Sequence, residues 1–495
     1  MALMGLDIGT TGCKAMAFSI DGWPLSYAYR EYESCGSVYE VNGDIIWKNI
    51  KAVLRESSSG AGERIDALSI SSFGESFVPI DGGGRVLMNS LLYSDSRGTE
   101  QCARFKQEFG EVKIMQITGV KPQPMYSLAK FGYLREQKKD VFEKAHKFLL
   151  MESFCIYKLT GEYAIDYSLA SRSMAFDITK KKWCGELLSL AGVTQEQMAA
   201  PVPSGTIVAC ILPDVAFELG LPEKLLVVTG GHDQVCAATG AGITKPGLAI
   251  DGIGTVECIT PAFDHPILQP EFLNNNYACV PHSIDGMYVT CAFNFTGGIL
   301  LKWFRDNFAK SEAAAARAEG VSVYQMLDRM GARKPTDLIV IPHFSGSATP
   351  DMNEAARGAF LGLRLDTSMP ELYRALLEGI TYEMAYNMEI LDRCGIRIDE
   401  LRAVGGGAKS SYWLRIKASI TGCRIIALDI AEAGIVGAAM LAGVGLGAYG
   451  SVKEAEPLFI HQKPPIEPDP DENKIYAENY LRYKAAREAV AKLYG

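Results

Sequence analysis

The sequence predicts an α/β fold of two related domains with a ligand cleft between them, and three observations carry that prediction. The first is the apolar, β-branched run from Leu225 to Thr229, which ends in Gly230-Gly231 and is followed by small residues from Ala237 to Gly242. The run has the length and composition of a buried strand, and the small residues suit a helix packed close to its neighbours. The second is size. A chain of 495 residues, 48% apolar and 22% charged, is too long for one ordinary core and long enough for two. The third is an internal echo: Gly9-Thr10 lies in a turn between two strand-like runs, and Gly254-Thr255 lies in the same kind of turn far along the chain. Self-similarity at that range points to a duplicated domain. Lys245-Pro246-Gly247 is the hinge candidate, which divides the chain into 1–244 and 245–495.

Composition excludes several classes of function. A net charge of −9 argues against phosphate-backbone binding, so no nucleic-acid partner is expected. The 12 cysteines are scattered singly, without CxxC spacing, as reduced thiols of a cytoplasmic protein would be. A structural metal cluster is not expected. Met1 begins no charged and apolar leader, and no apolar run is long enough to span a bilayer, so no membrane partner is expected either.

Taken in order, Leu3 to Asp7 and Lys14 to Phe18 read as strands joined by Gly9-Thr10-Thr11-Gly12. Backbone N–H groups and hydroxyls left free in this turn suit a phosphate, and Asp7 before it suits Mg²⁺ held through water. An ordinary glycine-rich hairpin with a solvated Asp has the same pattern. Asp44 to Glu56 has helical spacing, with Ile45, Ile46, Ile50 and Val53 on one side. Ala67 to Ser71 reads as a strand leading to Glu75, and Leu91 to Tyr93 as another leading to Asp95 and Arg97, before a helix of about three turns. Glu75, Asp95 and Arg97 suit a polar pocket for hydroxyls or, equally by pattern, a surface ion pair. Met125 to Arg135 reads as a helix, His146 to Leu150 as a strand and Glu152 to Leu159 as a helix ended by Gly161. The stretch 162–220 is less regular, punctuated by prolines. At the end of the Leu225 strand sits Asp233, between His232 and Gln234. Such strand ends collect ligands and catalytic groups in open α/β sheets. Asp233 there is either a base for a substrate hydroxyl or the cap of the next helix.

The second half repeats the theme. Leu248 to Asp251 and Val256 to Thr260 flank Gly254-Thr255, and Asn294 to Gly298 opens a helix continuing through Trp303. Leu338 to Pro342 and Ala359 to Leu363 read as strands and Pro370 to Asp392 as a long helix. Leu401 to Val404 runs into Gly405-Gly406-Gly407-Ala408, either a nucleotide-type turn or a plain loop. Gly434 to Gly447 reads as a close-packed helix, and Asp471 to Leu493 as a charged helical tail.

Four motifs together resemble the FGGY carbohydrate kinases, whose fold is similar to that of the actin-like (ribonuclease H-like) ATPases. They are Asp7-Ile8-Gly9-Thr10-Thr11; Gly231-His232-Asp233-Gln234; Met125-x-Ser127-x-x-Lys130-Phe131-x-Tyr133-Leu134, with Tyr where Trp is usual; and Gly358-x-Phe360-x-Gly362-Leu363 with Glu371-Leu372-x-x-Ala375-Leu376-Leu377-Glu378. Gly405 to Ala408 is similar to the family's adenosine motif. The resemblance implies ATP- and Mg²⁺-dependent phosphorylation of a sugar or polyol hydroxyl. Asp233 would be the base, and Asp7 would hold Mg²⁺ through water. Thr10, Thr11, Lys14, Gly254 and Thr255 would contact phosphates, and Gly297, Gly406, Gly407 and Ala408 the nucleotide. Glu75, Asp95 and Gln234 would face the acceptor. Phe73-Gly74-Glu75 lacks the Met-His pair of xylulose kinases and the Gln-Arg of glycerol kinases, which favours a ketose or sugar alcohol without naming one. Alternative expectations are an actin- or chaperone-like ATPase that needs no acceptor, and a silent sugar-binding regulator. The partners are then a small sugar or polyol and ATP, with a homodimer as the candidate assembly.

Overall fold

The structure is a computed structural model that describes residues 1–430 and 432–494. Its first half begins with β1 (Ala2–Ile8), β2 (Gly12–Ser19) and β3 (Pro24–Glu31), followed by α1 (Gly43–Ala61) and β4 (Ile65–Ser72). The Asn42 side chain caps α1 by accepting the Asp44 and Ile45 N–H groups, and the helix buries Ile46, Ile50, Val53 and Leu54. Then come α2 (Ser127–Gln137), α3 (Met151–Thr160), β5 (Ile207–Cys210), β6 (Leu226–His232) and α4 (Asp233–Gly240). The sheet order is β5-β6-β4-β1-β2-β3, with β6, β4 and β1 parallel and the β1–β2 hairpin antiparallel.

The second half opens with β7 (Gly247–Ile253), β8 (Glu257–Phe263), β9 (Val280–Pro281), β10 (Tyr288–Val289) and β11 (Ala292–Asn294). It continues through α5 (Gly298–Phe308), α6 (Met369–Arg393), β12 (Ile398–Val404), α7 (Ser411–Thr421) and β13 (Arg424–Ala427). The order β9-β10-β8-β7-β12-β13 has β11 alongside β8. The β7–β8 hairpin is antiparallel and β12 lies parallel to β7, as β4 does to β1. The two hairpins with their glycine-threonine turns therefore hold equivalent places in two sheets.

The chain closes with α8 (Ala433–Leu446) and α9 (Pro470–Tyr494). Although it follows the second sheet in sequence, α8 packs on β1, β4 and β6 of the first sheet and crosses α4. The crossing is glycine to backbone on both sides: a Cβ on Gly437 would overlap the Cys236 carbonyl oxygen, and one on Gly240 the Ala433 carbonyl oxygen. The helix expected after Arg97 is instead two short helices, Thr99–Phe105 and Glu111–Thr118, joined by a π-helical turn at Lys106–Gly110. Gly110, with φ of 94°, interrupts the right-handed path there. All 12 cysteines are free thiols, and no helix among the described residues is long and apolar enough to cross a membrane.

Candidate active site

The site is built where the ends of β1, β4 and β6 meet the starts of α4 and α8. Asp7 on β1 is paired in register with Lys14 across the hairpin and with Ser71 on β4. Ser71 Oγ donates to Asp7 Oδ1 at 2.8 Å. The end of β6 is held by two buried side chains: the Gly230 N–H donates to Glu152 Oε1 at 2.7 Å, and the His232 N–H donates to Ser168 Oγ at 2.8 Å. Asp233 is thereby fixed as the first residue of α4, one position inside the N-cap His232, which itself makes no side-chain cap. The Asp233 Oδ1 accepts the Gln234 N–H at 2.6 Å, yet 38% of its side chain stays open to the cleft.

Both carboxylates are raised. Burial pushes Asp7 up to about 6, with the Asp233 charge adding to the shift against the lowering effects of Ser71 and Lys14. Burial likewise pushes Asp233 up to about 6, against the Gln234 N–H and the Arg172 charge. His232 Nε2 lies 3.4 Å from Asp233 Oδ1, but burial and the nearby Arg172 charge push its imidazole down to about 4, so it is neutral at pH 7. The N-terminus of α8 comes close as well: a Cβ built on Gly434 would lie 3.8 Å from Asp7 Oδ1. Two helix N-termini thus converge on the carboxylates, an arrangement that favours an anionic ligand. Thr10 and Thr11 flank the same turn, Thr11 exposed and Thr10 half-buried. Lys14, expected at the phosphates, is held by Glu432 just before α8 at 2.7 Å.

Beside Asp233 opens a cavity of about 550 Å³, lined from the first half by Asp95, Met125, Arg172 and Gln234 and from the second by Asn276, Cys291, Met352 and Glu354, among others. Asp95 and Gln234 line it as expected. Asp95 is also an ion pair, accepting the Arg97 N–H at 2.8 Å and Nε at 2.9 Å, while Arg97 reaches Glu40 at 2.6 Å. Burial raises the Asp95 carboxyl, but the Arg97 hydrogen bonds and charge outweigh it and hold it below the ordinary value. Glu75 is not among the lining residues. It is buried, with φ of 64°, and its Oε1 accepts Arg172 Nε at 2.6 Å, so Arg172 stands between Glu75 and the cavity. Nothing local marks Arg172 in the sequence, because it lies 97 residues from its partner. Lys130 is fully buried and caps the Leu91 and Leu92 carbonyls, fixing the segment that leads to Asp95.

A second cavity of about 550 Å³ lies in the other half, lined by Gly254, Thr255, Gly298, Gly406, Gly407 and residues not anticipated from sequence: Lys302, Tyr324, Tyr373, Ser410 and Trp413. The start of α5 holds the hairpin turn, with the Gly298 N–H donating to the Gly254 carbonyl at 2.8 Å and the Ile299 N–H to Thr255 at 3.1 Å. Gly297 and Ala408 support this cavity without lining it. Gly297 touches the Val256 backbone so closely that a Cβ would lie 2.9 Å from its carbonyl carbon, and Ala408 is buried. Space beside Gly406 is open, as a glycine cradle for a ligand requires. Below the turn, Lys417 lies buried between Asp251 on β7 and Glu257 on β8, tying α7 to the hairpin. No group of three or more metal-ligating side chains occurs among the described residues.

The sequence models for the N-terminal and C-terminal domains of the FGGY family of carbohydrate kinases match residues 2–240 and 253–446. The chain is 28% identical over 498 residues to a xylulose kinase of Bacillus subtilis (strain 168), covering 99% of this chain and 96% of that protein. It is 29% identical over 459 residues to a gluconokinase of the same organism, covering 91% and 88%. In structure it is similar to a ligand-bound xylulose kinase from Lactobacillus acidophilus, with a TM-score of 0.90 at 23% identity over 100% of this chain and 99% of that one. With both domain models matched in chain order, two sheets of like topology and a carboxylate pair at the strand ends, this chain belongs to the FGGY family of carbohydrate kinases.

Proposed function

We propose that the protein transfers the γ-phosphoryl group of ATP to a hydroxyl of a small sugar or polyol, such as a pentulose or a sugar alcohol. The observation that carries this reading is the position of Asp233, 38% open, between two helix N-termini and a cavity into which Asp95, Arg172 and Gln234 bring polar groups. In this reading residues 1–244 supply the acceptor site, the base and one phosphate turn, and residues 245–495 supply the nucleotide site. Asp95 and Gln234 orient the acceptor by hydrogen bonds, and Asp233 accepts the proton of the attacking hydroxyl. Gly254, Thr255, Thr10 and Thr11 offer backbone N–H groups and hydroxyls to the phosphates, while Gly406 and Gly407 leave room for the nucleoside. Asp7 would hold Mg²⁺ through water, which fits a carboxylate whose ionised form is disfavoured by burial and by Asp233 until a cation balances it. The metal, when bound, supplies neutralisation of phosphate charge.

The test is a coupled ADP-release assay with a panel of pentuloses, hexuloses, alditols and aldonates, including the xylulose and gluconate named by the relatives. Acceptor-dependent ADP release with one compound of the panel, abolished by EDTA, is the expected result. ADP release at a rate indifferent to every acceptor would instead favour an ATPase without a sugar substrate.

A further inference from the structure

Identities of 28% and 29% do not separate a relative named for a neutral ketose from one named for a sugar acid. The charges of the acceptor cavity do. Arg172 is the one Arg or Lys among the described residues lining it. Its guanidinium lies over the Tyr126 ring, 5.2 Å from the centroid, and Nε donates to Glu75 Oε1 at 2.6 Å while Nη2 pairs with the same oxygen. Glu75 cannot swing away easily. It is 4% exposed, and its own carbonyl accepts Ser127 Oγ at 2.6 Å. The remaining charged side chains at the wall are carboxylates: Asp95, already satisfied by Arg97, and Glu354, with Asp233 next to the wall between His232 and Gln234, which line it. A carboxylate carried in by a sugar acid would lose its hydration and meet no uncompensated cation. Hydroxyls meet no such penalty, since they both donate to carboxylates and accept from Gln234 and the guanidinium.

Resting on the kinase reading above, we propose that Glu75 and Arg172 form a charge filter: Glu75 neutralises Arg172, so the acceptor site takes neutral polyhydroxy compounds and rejects sugar acids. Glu75 is then a specificity-determining residue that acts through Arg172 without touching the acceptor's reacting hydroxyl.

The measurement is kcat/KM for the best neutral acceptor of the panel and for the aldonate of equal chain length. The wild-type protein should favour the neutral compound by at least about 100-fold. Glu75→Gln keeps the shape and removes the counter-charge, and should shrink that ratio by about tenfold or more through a lower KM for the acid, with the KM for ATP unchanged. Adding Arg172→Gln to Glu75→Gln should erase the gain. A merely structural Glu75 would lower both kcat/KM values by the same factor and leave the ratio unmoved, which overturns the proposal. Should Glu75→Gln fail to fold, competition on the wild-type protein decides: inhibition by gluconate about tenfold weaker than by sorbitol supports the filter, and equal or tighter inhibition by gluconate overturns it. Wild-type preference for the acid overturns the filter and leaves the kinase reading standing. ADP release that responds to no acceptor overturns the kinase reading, and the filter with it.

Discussion

Asp233 and Asp7 are poised by the same physics: burial disfavours the ionised form of each, and at Asp7 the Asp233 charge adds to it. A carboxyl near 6 is deprotonated at pH 7 yet binds a proton more readily than an ordinary Asp, as the proposed base requires. Asp233→Asn should therefore lower kcat by about 10²–10⁴-fold while ATP affinity and Tm stay near the wild-type values. A helix cap would tolerate Asn, so a near-normal kcat would return Asp233 to that role. The same shift sets a pH profile. Because the raised carboxyl protonates as pH falls through about 6, kcat/KM should fall about tenfold per pH unit below that point. For stability the sign is opposite. A carboxyl raised in the folded state stabilises the fold below the ordinary Asp range, and that contribution is lost as pH rises through about 6. Asp7→Asn should consequently melt higher than wild type at pH 7.5, with the difference vanishing near pH 4, while losing metal-dependent turnover.

At the scale of elements, the α4–α8 crossing holds the start of both helices against the carboxylates. Gly437→Ala places a methyl group on the Cys236 carbonyl and should destabilise the protein by about 1–3 kcal/mol or more, read as a lowered Tm in calorimetry. An unchanged Tm would mean the helices can separate without loss. A second element reaches the acceptor cavity from further away. Arg487 on α9 is held by Glu383 of α6 and pairs with Asp351 at 2.6 Å, next to Met352 and three residues before Glu354, both of which line the cavity. Asp351 is 42% exposed, so Asp351→Ala should spare the core. It should raise the acceptor KM by roughly 3–10-fold, equivalent to about 0.7–1.4 kcal/mol, and leave the KM for ATP alone. Equal changes in both would show that the loop does not serve the acceptor side.

For the whole molecule, the cavity beside Asp233 is lined from both halves, and the cavity at Gly406 and Gly407 from the second half alone. Binding both ligands should draw the halves together and exclude water from the phosphoryl group. The segment joining the halves is not loose throughout: Arg402 Nη1 donates to the Ala241 and Gly242 carbonyls at 2.9 Å each and pairs with Glu456 at 2.7 Å. Any bending should then fall in the Lys245-Pro246-Gly247 stretch, where Gly247 has φ of 88°. Small-angle scattering should show a smaller radius of gyration with acceptor and a non-hydrolysable ATP analogue together than with either alone. Identical profiles at saturation would exclude closure as part of turnover.

Much of this was legible in the sequence because it is local. Short apolar runs foretold β1, β4, β6, β7 and β12, and the glycine-threonine turns marked both hairpins. Asp7, Asp95 and Asp233 were visible at strand ends for the same reason: a strand's register and the turn after it are set by neighbouring residues. What touches what across long separations was decided only by tertiary structure. Arg172 meets Glu75, Lys417 meets Asp251 and Glu257, and α8 returns from the second half to the first sheet. None of these has a periodic or motif signature, since a buried ion pair requires only complementary charge and a shared dry space. The backbone path creates that space after the local elements have formed, so chain order alone cannot name the partners.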